Sequence, residues 1–261
     1  MNIEIILRTC NRTEMNPDMK RILKATRDEL ILRCLNSFLL SVNHLHYHSL
    51  GKDKVNVTII DDSTNDFRNK IKQKIKNLSC SKQYIYKNMT NNECMKYCYE
   101  YAKENFDEDS LIYFCEDDYL YFQNCFTEMI EAYKLFKNNL GEFSEVAIHP
   151  ADSPLEYFPE SLASPYSKSR IVLGRDRHWR TSVSSPFSLL LTKNAFNIHY
   201  DKFMNYSKFD GVNFHEANTI NLMFIDNVTL FTPIPTLCFH LGYIDPPAPF
   251  CDHLQLWKQS K

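Results

Sequence analysis

The feature that most constrains the fold of this 261-residue chain is an alternation, four times over within about the first 115 residues, of short apolar runs with longer amphipathic ones. "IEIILR" (3–8), "KVNVTII" (54–60), "QYIYK" (83–87) and "SLIYFC" (110–115) are short and mostly β-branched or aromatic, which predicts strands. Between them, "RDELILRCLNSFLLSVNHL" (27–45) sets Leu30, Ile31, Cys34, Leu35, Phe38 and Leu39 at helical spacing. "FRNKIKQKIKNL" (67–78) repeats that pattern with Phe67, Ile71, Ile75 and Leu78, and a third helix is predicted within 88–106, capped by Thr90 or Asn91. Strands alternating with helices call for an α/β architecture: a mostly parallel sheet with helices on both faces. Sheets of this kind bind ligands beyond the carboxyl ends of their strands.

Three of those ends read "RTCNR", "DDSTND" and "CEDD", so all three are expected to open onto one crevice. The last is the most demanding. Glu116, Asp117 and Asp118 follow one another between apolar residues 111–115 and 119–122. Neighbouring carboxylates repel, and apolar flanks remove the water that would screen the repulsion. A cation is therefore expected among them, the alternative being a solvated acidic turn.

Composition excludes some classes. A formal net charge of −2 leaves no nucleic-acid footprint. No apolar run approaches the roughly 18 to 20 residues of a transmembrane helix. Met1 leads directly into "IEIIL" without a basic and then an apolar leader segment, so no signal peptide is expected and a cytoplasmic location is. The nine cysteines include no C-x-x-C pair, which predicts reduced thiols rather than a disulfide framework or zinc site. The second half is less regular: a helix over "CFTEMIEAYKLFKN", a strand at "EVAIHP", a strand entering a helix in "PFSLLLTKNAF", a helix over "FHEANTINLMFID", strands at "VTLFTPIP" and "CFHLGY", and an outer tail.

"IILRTCNR", "VTIIDDSTND", "IYFCEDDYLY" and "FHEANTINLMFIDNVTLFTPIPTLCFH" stand in the order and spacing of the blocks of GT-A fold glycosyltransferases, and the chain resembles the inverting family 2 of that class over about 240 residues. It departs from the pattern at Ser63, where the family often has Gly, and at Lys96, where it often has Asn. The resemblance implies a single GT-A catalytic domain over 1–261, a three-layer sandwich with a smaller acceptor-side subregion. Residues 1–122 would be its nucleotide-binding half, and 123–261 its acceptor-binding half with a C-terminal tail. It implies metal-dependent transfer of a sugar from a nucleotide-sugar donor, UDP by default, to a glycan or other hydroxyl acceptor. Hard divalent cations take oxygen ligands and neutralise a departing diphosphate. The three acids then become the seat of Mn²⁺ or Mg²⁺, with Asp118 as direct ligand, Glu116 on the ribose or on metal-bound water, and His240 as a third contact. Imidazole tilts the choice toward manganese.

For the nucleotide, Asp61 is expected to accept from the base and Asp62 to bind the ribose. Arg8 and Thr9 lie at the adjoining strand end. Arg12 pairs with the diphosphate or, alternatively, with Asp62 or Asp66. Asn91 and Asn92 open a helix whose free N–H groups suit an anion. Glu216 is the candidate general base, with Asp210 and Asp152 in reserve. "SRIVLGRDRHWR" reads either as a lid, with Trp179 stacking on a sugar, or as a surface strand pair with ordinary ion pairs. "HLHYH" is not read as a metal site, since helical residues two apart diverge. Two other functions share the logic of the sheet: a sugar-1-phosphate nucleotidyltransferase, which would want a glycine-rich basic loop where "RTCNRTEMNPDMKR" has no glycine, and a non-catalytic carbohydrate-binding module.

Overall fold

A computed structural model describes residues 1–12, 23–141, 144–153, 157, 169–185, 187–241 and 251–261. The first half follows the predicted alternation: β1 (Asn2–Thr9), α1 (Arg27–His48), β2 (Lys54–Asp61), α2 (Asn65–Lys74), β3 (Ser81–Tyr86), α3 (Asn91–Asn105) and β4 (Leu111–Glu116). A short β5 (Tyr119–Tyr121) and α4 (Cys125–Leu140) come next. The second half adds β6 (Glu145–Ile148), β7 (Ile171–Leu173), β8 (His178–Ser182), β9 (Leu189–Thr192), α5 (Lys193–Ile198) and α6 (Tyr200–Tyr206). It closes with α7 (Met223–Asp226), β10 (Val228–Ile234), β11 (Cys238–His240) and α8 (His253–Gln259).

Nine strands form one sheet in the order β3-β2-β1-β4-β9-β6-β10-β8-β7. Pairing is parallel from β3 to β4 and between β6 and β10; β8 and β9 run against the other seven. Alternate residues of each strand feed opposite faces. Ile3, Ile5 and Leu7 pack with α1, α2 and α4, whereas Ile6, Ile112 and Phe114 pack with α3, α5 and α6. This is the mixed α/β architecture, largely parallel at its centre and helix-covered on both faces, that the alternation predicts.

Local chemistry sets the helix starts. Thr26 caps α1 by accepting from the Glu29 N–H, and Asp28 and Glu29 complement the positive end. Thr90, not Asn91, caps α3, through a capping box in which Glu93 returns a bond to the cap.

Two expectations fail. "FHEANTINLMFID" is not one helix: 3₁₀ turns at Glu216–Asn218 and Ile220–Leu222 precede the four-residue α7. Thr219 breaks the path with φ −132° and ψ −100°, its hydroxyl bonding the His215 carbonyl at 2.7 Å. Such local side-chain bonds compete with the helical ladder. The lid reading of Trp179 also fails. Trp179 lies in β8 of the β7–β8 hairpin, 1% exposed, with its ring edge-on to Phe136. The neighbouring arginines make ion pairs, Arg175 with Glu131, Arg177 with Glu128 and Arg180 with Asp152, as the strand-pair alternative requires. Most of the loop before this hairpin lies outside the described residues.

Candidate active site

The carboxyl ends of β1, β2 and β4 stand side by side because Arg8 is in register with both Ile60 and Glu116, and Thr9 with Asp61. They open onto a cleft of about 330 Å³. Its floor comes from the strand ends, with Arg8, Thr9, Asp62 and the three acids; its wall comes from Thr90, Asn91 and Cys94 at the start of α3. The three expected strand ends thus share one crevice.

Within it, each acid has a different partner. Glu116 is paired with Arg8, whose other nitrogen donates to Asn91 Oδ1 at 2.9 Å and whose guanidinium lies 4.5 Å over the Phe187 ring. Asp117 accepts from Arg27 at 2.8 Å and from the Cys10 backbone N–H at 2.8 Å. Asp118 Oδ2 lies 3.1 Å from His240 Nε2. Each of the three acids therefore has its own protein partner: Arg8 for Glu116, Arg27 for Asp117 and His240 for Asp118. Burial raises the Glu116 carboxyl against the opposing field of Arg8, and likewise raises Asp117 against Arg27. At Asp118 burial pushes upward too, but His240, supported by Arg27 and Arg8, outweighs it and holds the carboxyl at about 2.

Asp118 is the acid with something left to bind. Its side chain is 29% exposed, yet Oδ1 is buried and has no hydrogen-bond partner. Thr9 Oγ1 is in the same condition. Among the described residues no three His, Cys, Asp or Glu side chains converge on a metal position. The donor set still fits a hard divalent cation of the kind that takes one or two protein ligands and fills its shell with water and phosphate oxygens. Asp118 would be the principal ligand and His240 its neighbour, while Glu116 is engaged by Arg8.

His240 arrives by a separate route. The β5–β11 ribbon pairs Tyr119 with His240 in register, and the two rings sit 4.7 Å apart. The Leu241 N–H donates to the Asp118 carbonyl at 2.8 Å, fixing the two chain segments together.

The remaining sequence candidates separate. Asp62 lines the cleft, accepting from Met89 N–H at 3.2 Å and pairing with Arg12 at 3.3 Å. Arg12 stands at the mouth, also donating to Tyr86 Oη at 2.7 Å and to Asn88. Asp61 is not brought into the cleft: it is fully buried, one oxygen accepting from Ser63 N–H at 3.0 Å and the other from the Tyr84 hydroxyl. Asn92 turns away and donates to the Phe209 carbonyl at 2.6 Å, so Asn91 is the asparagine at the site. Asp210 is exposed and staples its own turn, accepting from the backbone of Val212 at 3.0 Å and of Asn213 at 2.6 Å. Asp152 is buried against Arg180.

Glu216 does not line the cleft. It touches the neighbourhood through Tyr206, which donates to Oε1 at 2.6 Å. Burial raises the Tyr206 phenol, and the charges of Glu116 and Glu216 raise it further, so this hydroxyl stands in the field of both acids. Arg27, Phe187 and Tyr206 are the site residues that sequence reasoning misses. Arg27 lies 90 residues from Asp117, and Phe187 meets Arg8 from the far half of the chain, whereas Tyr206 is only ten residues from Glu216; of the three, only Arg27, a cation opening a helix beside the first strand end, carried any signal.

No protein-family model matches the sequence, and no curated protein is similar to it at a significant level. Solved structures give distant likenesses. HddC from Yersinia pseudotuberculosis is 10% identical with a TM-score of 0.46, covering 99% of this chain and 99% of that one. 4-Diphosphocytidyl-2C-methyl-D-erythritol synthase from Anaerococcus prevotii is 10% identical with a TM-score of 0.42, covering 98% of this chain and 94% of that one. Mouse xyloside xylosyltransferase 1 is 8% identical with a TM-score of 0.41, covering 79% and 72%. No helix among the described residues is long and apolar enough to cross a membrane.

Proposed function

We propose that this chain is a metal-dependent glycosyltransferase that moves a sugar from a nucleotide-sugar donor, a UDP-sugar, to an acceptor hydroxyl with inversion. The observation that carries the reading is Asp118: an ionised carboxylate at a strand end, in a cleft, with one buried oxygen lacking a partner. The nucleoside lies over the ends of β1 and β2, where Thr9 and Asp62 offer polar contacts. The diphosphate faces the start of α3, whose first backbone N–H groups favour an anion, with Arg12 at the mouth. Bound at Asp118, a divalent ion supplies charge stabilisation for the departing diphosphate. Glu216 accepts the proton of the acceptor hydroxyl as its oxygen bonds to the anomeric carbon. The bond from that carbon to the diphosphate oxygen breaks, and its electron pair leaves with the diphosphate.

Thermal-shift titration of the whole chain with UDP, GDP and CMP, each with and without Mn²⁺, tests the reading. UDP with Mn²⁺ is expected to raise Tm, and Asp118→Ala to remove the manganese-dependent part. Glu216→Gln is expected to keep the UDP shift while reducing transfer to a small residual rate. Absence of stabilisation by every nucleoside diphosphate would defeat the proposal. Release of pyrophosphate from UTP or CTP with a sugar 1-phosphate would move the protein to the nucleotidyltransferase alternative.

A further inference from the structure

Glu216 occupies a weak support. It opens a three-residue 3₁₀ turn that is followed by the break at Thr219, and its side chain is 23% exposed. A carboxylate so placed on its own would sample several rotamers, and a general base must stay within hydrogen-bond reach of the proton it takes. Two donors restrain it, one on each oxygen. Oε2 lies 3.0 Å from His215 Nε2. The Ala217 N–H donates to His215 Nδ1 at 3.3 Å, so Nδ1 keeps a lone pair and the ring proton resides on Nε2, facing Glu216. This donor is itself 58% exposed and competes with water.

The donor to Oε1 is of another kind. Tyr206 is 6% exposed, the last residue of α6 on the helix face packed into the core with Phe203, and its hydroxyl reaches Oε1 at 2.6 Å. A buried ring has few rotamers, so its hydroxyl is a fixed point against which an otherwise loosely held carboxylate is referenced. Each carboxylate oxygen accepts more than one bond, so Glu216 keeps capacity for an acceptor hydroxyl while both oxygens are held. α6 itself is anchored close to the cleft wall, since Asn92, next to the cleft residue Asn91, binds the carbonyl of Phe209 just beyond this helix.

We infer that Tyr206 is the positioning residue for the base: its buried hydroxyl holds the Glu216 carboxylate in the orientation that receives the acceptor proton. The inference rests on the proposed transferase reading and adds a residue to it.

The test uses the full chain with Mn²⁺ and UDP-glucose, UDP-galactose and UDP-N-acetylglucosamine, following UDP release, with water standing in for the acceptor hydroxyl. Tyr206→Phe is expected to lower kcat about 10- to 100-fold, the scale of a misplaced catalytic group. KM and the thermal shift produced by UDP should stay within about twofold of the parent, a split that general loss of structure would not produce. Adding Tyr206→Phe to Glu216→Gln should cost nothing further, because the hydroxyl acts through the carboxylate. Glu216→Asp, which withdraws the carboxylate from Tyr206 by one methylene without altering the core, should lose kcat to a similar extent and serves if the Tyr206 variant does not fold. Parental kcat in Tyr206→Phe or in Glu216→Asp, or a full additional loss in the double variant, overturns the inference alone. No UDP release by the parent protein from any of the three donors overturns the transferase reading, and the inference with it.

Discussion

Asp117 and Asp118 are chain neighbours with opposite environments. Arg27 is committed to Asp117 at 2.8 Å and also donates to the Cys10 carbonyl at 3.0 Å, so it ties the start of α1 to two strand ends. Removing it leaves a buried carboxylate without its cation, which is the costly way to break such a pair. Arg27→Met is expected to lose about 3 kcal/mol of stability, read as a lowered urea midpoint with unchanged slope. His149 supplies a pH dependence. It is 3% exposed, and burial is the main cause of a depression to about 4, opposed by the Ser188 carbonyl that its Nδ1–H reaches at 2.6 Å. Between its ordinary value of 6.5 and about 4, the unfolded chain carries a proton on this residue that the folded chain lacks. Stability therefore falls as pH drops through that window, by up to about 3 kcal/mol from this group. Urea midpoints at pH 7 and pH 4.5 should differ less in His149→Asn than in the parent protein.

At the scale of elements, what was legible was what a single segment encodes by itself. α1, α2 and α3 each carry an apolar stripe at helical spacing, so a local pattern sufficed even though α1 packs against β5 and α3 against β1, neither adjacent in the chain. The acids of β4 were legible as charges needing a partner, but not which partner, because Arg8 and Arg27 reach them from about 90 residues or more away. The segment after Glu216 misled for a different reason. Ile220, Met223 and Phe224 have helical spacing, while Asn218, Thr219 and Asn221 offer the backbone side-chain bonds instead. The β7–β8 hairpin shows a further limit, since an aromatic in a run of arginines reads equally as a surface or a core residue. Gly174 in that hairpin is a sensitive position: an added Cβ would lie 2.4 Å from Trp179 Nε1. Gly174→Ala is expected to displace the buried indole and cost about 1–3 kcal/mol, measured by urea unfolding with tryptophan fluorescence in a Trp257→Phe background. At the cleft wall, Thr90→Ala opens the capping box of α3 and should cost about 1 kcal/mol, detectable in the same titration.

For the whole molecule, the boundary near residue 122 marks a change in pattern and not a break in the sheet. β4 is flanked by β1 from the first half and by β9 from the second, and β6 and β10 extend the sheet beyond β9. That order could not be read from the chain, because antiparallel insertion of β9 between β4 and β6 leaves no local periodicity. A fragment of residues 1–122 would expose one edge of β4 together with Ile112 and Phe114, which pack against second-half residues such as Leu189 and Phe196. It is expected to be aggregated or unfolded by circular dichroism and gel filtration, in contrast to the full chain. The ribbon that brings His240 to Asp118 has a temporal counterpart during synthesis. As synthesis proceeds the three acids leave the ribosome after Arg8 and Arg27, but 122 further residues must emerge before His240 can meet Asp118. Over that interval the nascent protein carries Asp118 without its imidazole partner, and the contact forms late, with the strand that closes the ribbon.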